Sequence, residues 1–262
     1  MTPPPSELVL ITREAGVTTL SVNRPAALNA LNVPTAHAFL AACKSLASDP
    51  QLRVVVLRGE GKAFGAGGDV AALQADPTAT AHELISCLHE AVLLLTGLEV
   101  PVLASLHGVV AGGSLSLAMA CDLAVAAEGT RFNLAYANLG ASCDLSGSWH
   151  LPRLVGLRNA MQIALLSDSF DAAEALRLGL VNRVVPDLLL QDETRSLALR
   201  LAAGPTRAYG HLKRLLRQSF DHDLPTQLGA EREAFEACTR TADFAEGVDA
   251  FRARRRPVFV GR

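Results

Sequence analysis

The chain has 262 residues, half of them hydrophobic and 19% charged, with a formal net charge of −2. That length and apolar content support a full core in one large domain, or in one domain with a smaller appendage. The near-neutral balance excludes the electrostatic footprint of a nucleic-acid binder, and five cysteines without CxxC spacing argue against a disulfide framework or a zinc site. The apolar runs, such as residues 91–95, are too short to span a bilayer, and MTPPPSELVL lacks the basic start and long apolar core of a signal peptide. The expected compartment is the cytoplasm, with no membrane contact. The modest charged fraction suggests a surface shared with sister subunits.

In chain order, residues 7–13 and Val17–Val22 alternate apolar and polar side chains around Ala15-Gly16, the pattern of an opening β-hairpin. Asn23-Arg24-Pro25 ends the second strand. Residues 26–31 read as a loop whose Leu28 and Leu31 need an apolar partner surface. Ala38, Phe39, Ala42 and Leu46, after Pro34 and before Asp49-Pro50, predict a helix over residues 35–46. Val54-Val55-Val56-Leu57 is a continuous apolar strand of the kind covered on both faces. The glycine-rich segment GEGKAFGAGG follows, and a long helix is predicted over residues 80–97.

The stretch PVLASLHGVVAGGSLSLAMACD, residues 101–122, reads as an apolar strand over Val102–Leu106, a glycine-bearing turn over 108–113 and an apolar helix over 115–120. Leu123–Ala127 is another strand, residues 131–144 a strand end and loop. Helices over 148–154, 159–166 and Ala172–Leu178 precede a strand over 181–185. Beyond it come four helical stretches, near residues 193–203, 206–220, 227–238 and 242–255. The expected division is an α/β core over residues 1–187 and a helical part over 188–262.

A buried strand that turns into a helix leaves bare main-chain N–H groups at the positive end of the helix dipole. Gly112 and Gly113 allow a ligand oxygen close to that backbone. Such a turn can hold a phosphate or stabilise an enolate oxygen; tight packing alone is the alternative. A second glycine turn, ending at Gly67-Gly68-Asp69, also follows a buried strand. If both strands lie in one sheet, the N–H groups of Gly68 and Gly113 converge on one oxygen as an oxyanion hole. If not, they are two unrelated turns. Neither a GxGxxG fingerprint in its proper context nor a Walker pattern is present, and no metal-ligating pattern stands out.

The segments RPAALNAL (24–31), AFGAGGDV (63–70), LASLHGVVAGGSLSLAMACDLAVA (103–126), LPRLVG (151–156), ALRLGLVNRVVP (175–186) and AFRARRRPVFVG (250–261) follow in an order and spacing that resemble the enoyl-CoA hydratase/isomerase, or crotonase, superfamily over nearly the whole chain. The resemblance implies an α/β fold, a spiral of ββα units with a C-terminal helical part used in trimer contacts. It implies an acyl-CoA substrate, with coenzyme A carried as part of the thioester rather than as a separate cofactor, and a homotrimer or dimer of trimers. Gly68 and Gly113 match the two oxyanion-hole donors, with Ser114 where the family usually has a third glycine. Adenine and pantetheine contacts fall around Ala26, Leu28, Ala66, Gly67 and Val70. Ala26 and Leu28 are neutral where some members are basic, so Arg24 or a tail arginine such as Arg254 is expected at the phosphates.

Ser116 and Tyr136 occupy the positions of the two hydratase glutamates, and neither can act as a carboxylate base, which disfavours simple hydration. Asp144 resembles the single carboxylate of the isomerase-like members. It equally resembles the aspartate nucleophile of the 4-chlorobenzoyl-CoA dehalogenase-like branch, in which His89 matches the water-activating histidine and Tyr136 a tryptophan. Structural alternatives stand beside these roles. Asp144 is placed to cap the helix that begins near Ser146 or Ser148, His89 to pack in the core, and Asp69 to order its own loop through backbone N–H groups. Cys121 and Asp122 look structural. Arg252, Arg254, Arg255 and Arg256 form a tail that is either solvated charge or a phosphate contact. Three functional readings follow: a proton-moving acyl-CoA isomerase, Asp144/His89 chemistry on an aryl-CoA, and a non-catalytic acyl-CoA-binding paralogue.

Overall fold

A computed structural model describes residues 5–74 and 76–262. The strands are β1 (Val9–Glu14), β2 (Val17–Val22), β3 (Val54–Gly59), β4 (Val102–Leu106), β5 (Val109–Ala111), β6 (Leu123–Ala127), β7 (Arg131–Asn133), β8 (Phe170–Asp171) and β9 (Arg183–Val185). The helices are α1 (Pro5–Leu8), α2 (Val33–Ala47), α3 (Pro77–Gly97), α4 (Gly112–Ala120), α5 (Gly147–Val155), α6 (Leu157–Leu166), α7 (Ala172–Leu178), α8 (Leu190–Ala202), α9 (Thr206–Gln218), α10 (Leu224–Thr239) and α11 (Ala242–Arg252). Among the described residues no helix is long and apolar enough to cross a membrane.

Ala15 and Gly16, both left-handed, close the predicted hairpin between antiparallel β1 and β2. From β2 onward every pairing in the main sheet is parallel, in the order β1-β2-β3-β4-β6-β9. Parallel neighbours need crossovers, and α2, α3 and α4 supply them. The apolar run in β3 is explained by burial on both faces, as expected. Val55 and Leu57 face the larger core with Phe39, Leu88 and Leu115, while Val54 and Val56 face a second cluster with Leu190, Ala198 and Ala202 of α8. The helical part expected from residue 188 therefore begins with a helix that packs directly on the sheet.

Side-chain caps fix several helix starts: Asn32 accepts from the Thr35 N–H, Asp76 from Ala79 and Asp171 from Glu174. Of a small second sheet, β5-β7-β8, the sequence reading had only the strand end at β7. Its strands are two or three residues long, too short to show a period. One of them corrects the reading of the central stretch. The turn over residues 108–113 contains β5, and the helix begins at Gly112, so both glycines belong to its first turn. Every residue of α4 is buried, as suits a helix that is apolar all round.

Candidate active site

Because β3 and β4 are adjacent and parallel, the segments that follow them leave the sheet at the same edge. They then pair with each other. The Gly65 N–H donates to the Val109 carbonyl at 3.0 Å and the Ala111 N–H to the Gly65 carbonyl at 2.9 Å. On the other side, Leu31 N–H donates to the Gly67 carbonyl at 2.7 Å and Asp69 N–H to the Leu31 carbonyl at 2.9 Å. The loop between Gly65 and Asp69 is thus pressed onto the start of α4. Gly67 is left-handed at φ 92°, and a Cβ there would lie 3.0 Å from the Ala111 carbonyl oxygen and 3.3 Å from the Gly113 nitrogen. The turn needs glycine for both reasons. Ser114 adds a stitch between the two segments, its hydroxyl accepting the Gly67 N–H at 3.2 Å.

Gly113 lies in the first turn of α4, whose N-cap, Ala111, provides no side-chain acceptor. Its N–H has no carbonyl one turn back to bond. Among the described residues, the Gly68 N–H also finds no protein acceptor. Gly113 is buried in the floor formed by the first turn of α4, and Gly68 is exposed on the turn pressed against it. Such a pair can hold an oxygen that becomes negative during reaction, where losing one donor typically costs about 3–4 kcal/mol of transition-state stabilisation.

Across this floor stands Asp144. A Cβ built on Gly113 would lie 3.7 Å from Asp144 Oδ1, 3.7 Å from the Tyr136 hydroxyl and 3.6 Å from Leu145 Cδ2. Burial pushes the Asp144 carboxyl up from its ordinary value; the Tyr136 hydrogen bond and the nearby His89 oppose that rise. Burial and the Asp144 charge push the Tyr136 phenol upward, so it keeps its proton. Tyr136 donates a very short hydrogen bond to Asp144 Oδ1, and its oxygen lies 3.1 Å from Ser116 Oγ. The helix-capping alternative for Asp144 fails: α5 has Ser146 as its N-cap residue, without a side-chain cap, and the Asp144 side chain turns to Tyr136 instead.

His89 is exposed on α3 rather than packed in the core, and its Nε2 accepts the Leu145 N–H at 3.2 Å. It thereby supports the left-handed pair Leu145 and Ser146 that follows Asp144. Asp69 does not cap its own loop; it pairs with Arg24 at 3.1 Å, and Arg24 also donates to the Ala30 carbonyl. Arg24 is therefore already engaged, whereas sequence reasoning had offered it to phosphates. Asp122 is structural, as expected, held by Lys213 at 2.7 Å and Arg217 at 2.9 Å.

Of the residues expected near the coenzyme, Ala26, Leu28 and Val70 are exposed around Gly68, as a binding surface requires. Leu31 finds the apolar partner surface the sequence demanded, and Leu28 does not. Ala66 donates its N–H to the Leu28 carbonyl, while Gly67 is buried with both backbone polar groups engaged, so these two shape the turn from behind. A cavity of about 490 Å³ lies elsewhere, between α8 and the sheet face bearing Val56 and Ser105, and holds none of these residues. Among the described residues no group of three or more His, Cys, Asp or Glu is placed to hold a metal ion.

Sequence reasoning missed the part played by Tyr136 and Ser116. Ser116 was read as a missing glutamate, and Tyr136 as a missing glutamate or the counterpart of a tryptophan; the contact between them joins positions 20 residues apart.

Comparison with known proteins identifies the family. The family described as enoyl-CoA hydratase/isomerase matches residues 12–262. A 1,2-epoxyphenylacetyl-CoA isomerase of Escherichia coli K12 is 38% identical over 98% of this chain and 99% of its own. A 4-chlorobenzoyl coenzyme A dehalogenase of an Arthrobacter species is 33% identical over 91% of this chain and 88% of its own. The crystal structure of an enoyl-CoA hydratase from Bacillus anthracis superposes with a TM-score of 0.93 at 28% identity, covering 97% of this chain and all of that one. With a parallel α/β core, a helical C-terminal part and a match over nearly its full length, the chain belongs to the enoyl-CoA hydratase/isomerase family, the crotonase superfamily.

Proposed function

We propose that the protein is an acyl-CoA isomerase that works through a thioester enolate. The reading rests on one observation: the Gly65–Asp69 loop packs on the first turn of α4 so closely that a Cβ on Gly67 would lie 3.3 Å from the Gly113 nitrogen, with the partly buried Asp144 carboxylate beside Gly113. The thioester oxygen sits on the Gly68 and Gly113 N–H groups. Asp144 takes a proton from the carbon next to the carbonyl, or from one further along a conjugated acyl chain. The C–H electron pair moves toward the thioester oxygen, and the proton returns at another carbon. The net result is a shifted double bond, with no gain of water. Burial raises the affinity of Asp144 for that proton, as its role requires. Ser116 and Tyr136 in place of the hydratase glutamates favour proton transfer over hydration, and the 38% identical isomerase is consistent with it.

The thioester's coenzyme arm runs over Ala26, Leu28 and Val70. Asp144→Asn should abolish turnover and leave coenzyme A binding intact; unchanged turnover would overturn the reading. The exposed apolar residues of the C-terminal helices, Leu216 and Leu228 among them, are covered by sister subunits in a trimer or a dimer of trimers.

A second reading has one observation behind it. His89 stands near enough to favour the Asp144 charge, as a nucleophile-and-base pair acting on an aryl-CoA requires. Against it, the His89 Nε2 lone pair already receives the Leu145 N–H. A covalent adduct on Asp144, trapped by mass spectrometry in His89→Gln, would select this reading.

A further inference from the structure

Tyr136 is held from several sides. Its N–H donates to the Leu134 carbonyl, and its carbonyl accepts from Leu139 at 3.0 Å and from Ala141 at 3.0 Å. The preceding residue, Ala135, is left-handed and donates to Asn133 Oδ1 at 2.6 Å. Asn133 is itself tied to the Ser167 carbonyl at 2.9 Å. The phenol therefore reaches the site from a fixed backbone, and its oxygen lies between Ser116 Oγ and Asp144 Oδ1.

The directions of these bonds follow from counting hydrogens. The phenol has one, and an ionised carboxylate can only accept, so that hydrogen goes to Asp144. The 3.1 Å contact with Ser116 must then be donated by the serine. Ser116 is fully buried on α4, the helix whose first turn carries Gly113. One rigid element thus supports both the amide of the anion site and the far end of the hydroxyl chain.

We propose that Tyr136, backed by Ser116, is the positioning residue for Asp144: it occupies Oδ1 and turns Oδ2 toward the substrate as the oxygen that exchanges the proton. This rests on the reading of Asp144 as the base. During transfer the substrate C–H bond breaks, an O–H bond forms at Oδ2 and the electron pair goes to the thioester oxygen. The Tyr136 hydrogen stays on the tyrosine throughout. The other groups facing Asp144 are His89 from α3 and the thiol of Cys143, which burial and Asp144 keep protonated. Tyr136 alone among them donates a hydrogen bond to the carboxylate oxygen.

The test is Tyr136→Phe, which keeps the ring and removes the hydroxyl. Without that donor, burial of Asp144 is less opposed, so its carboxyl titration, followed by ¹³C NMR without substrate, should move upward. The acidic limb of the pH profile for proton exchange should move with it. The kcat should fall about 10- to 100-fold, the worth of one hydrogen bond to a charged group, with KM nearly unchanged. Ser116→Ala should act in the same direction and more weakly. An Asp144 titration and acidic limb that stay where they are in the unaltered protein, or a loss confined to KM, would overturn the proposal. If Tyr136→Phe does not fold, the Tyr136 hydroxyl proton of the unaltered protein should give a downfield, slowly exchanging resonance that Asp144→Asn shifts; its absence would also overturn the proposal. Turnover surviving Asp144→Asn would sink the assignment of the base instead, while the titration still reports the Tyr136 contact.

Discussion

At the scale of single residues, the site trades stability for chemistry. The Asp144 carboxyl titrates above its ordinary value of 3.8 because burial penalises its charge. The folded state therefore binds that proton more tightly than the unfolded chain does. The resulting stability is fully present below 3.8 and is lost as pH rises through the raised value. Asn cannot ionise and escapes the loss. Asp144→Asn should melt at a higher temperature than the unaltered protein at neutral pH, with the gap closing as the pH falls below 3.8. A lower melting temperature at neutral pH would mean that the carboxylate is satisfied rather than strained. Little of this was legible in the sequence. Asp144 was a candidate from resemblance, but the tyrosine that supports it and the histidine that props the following turn lie 8 and 56 residues from their contacts. Neither contact has a local pattern.

At the scale of elements, the sequence was read most surely where periodicity runs long. The hairpin, α2, α3, α7 and β6 emerge close to their expected limits because their apolar spacing and end signals agree. The central stretch was harder. Gly108 to Gly113 reads as one loose turn, and only its pairing with β7 shows that a strand fills it; Gly65 then bonds to that strand at Val109 and Ala111. That pairing gives Gly67 its importance. Gly67→Ala would place a methyl group 3.0 Å from the Ala111 carbonyl at a left-handed φ of 92°. It should destabilise the fold by about 1–3 kcal/mol and lower kcat further, since the Gly68 amide must move away from Gly113. Chemical denaturation together with steady-state kinetics checks both effects. Normal stability with normal kcat would show that the two turns are not mechanically joined.

At the scale of the whole molecule, the single chain leaves large apolar side chains on its helical part exposed. Leu216 of α9 is 68% exposed, Leu228 of α10 54% and Phe235 of α10 64%. Large apolar side chains left exposed on one part of a chain are candidates for an interaction surface. The protein should sediment as a trimer or a dimer of trimers, and Leu216→Glu combined with Leu228→Glu should yield a smaller species with its helix content retained. A monomer in the unaltered protein would contradict the assembly. The modest charged fraction of the chain hinted at a shared surface, but composition does not say which apolar side chains are exposed; only the folded helices show that.

The central claim is that the Gly68 and Gly113 amides hold an enolate whose proton Asp144 removes. The most direct measurement follows deuterium uptake by NMR at the carbon beside the thioester carbonyl, in heavy water, across aliphatic and aromatic acyl-CoA thioesters. The account predicts uptake with at least one thioester class for the unaltered protein and none for Asp144→Asn that still binds coenzyme A. Uptake that persists undiminished in Asp144→Asn, or thioesters that bind the unaltered protein without any exchange, would contradict it.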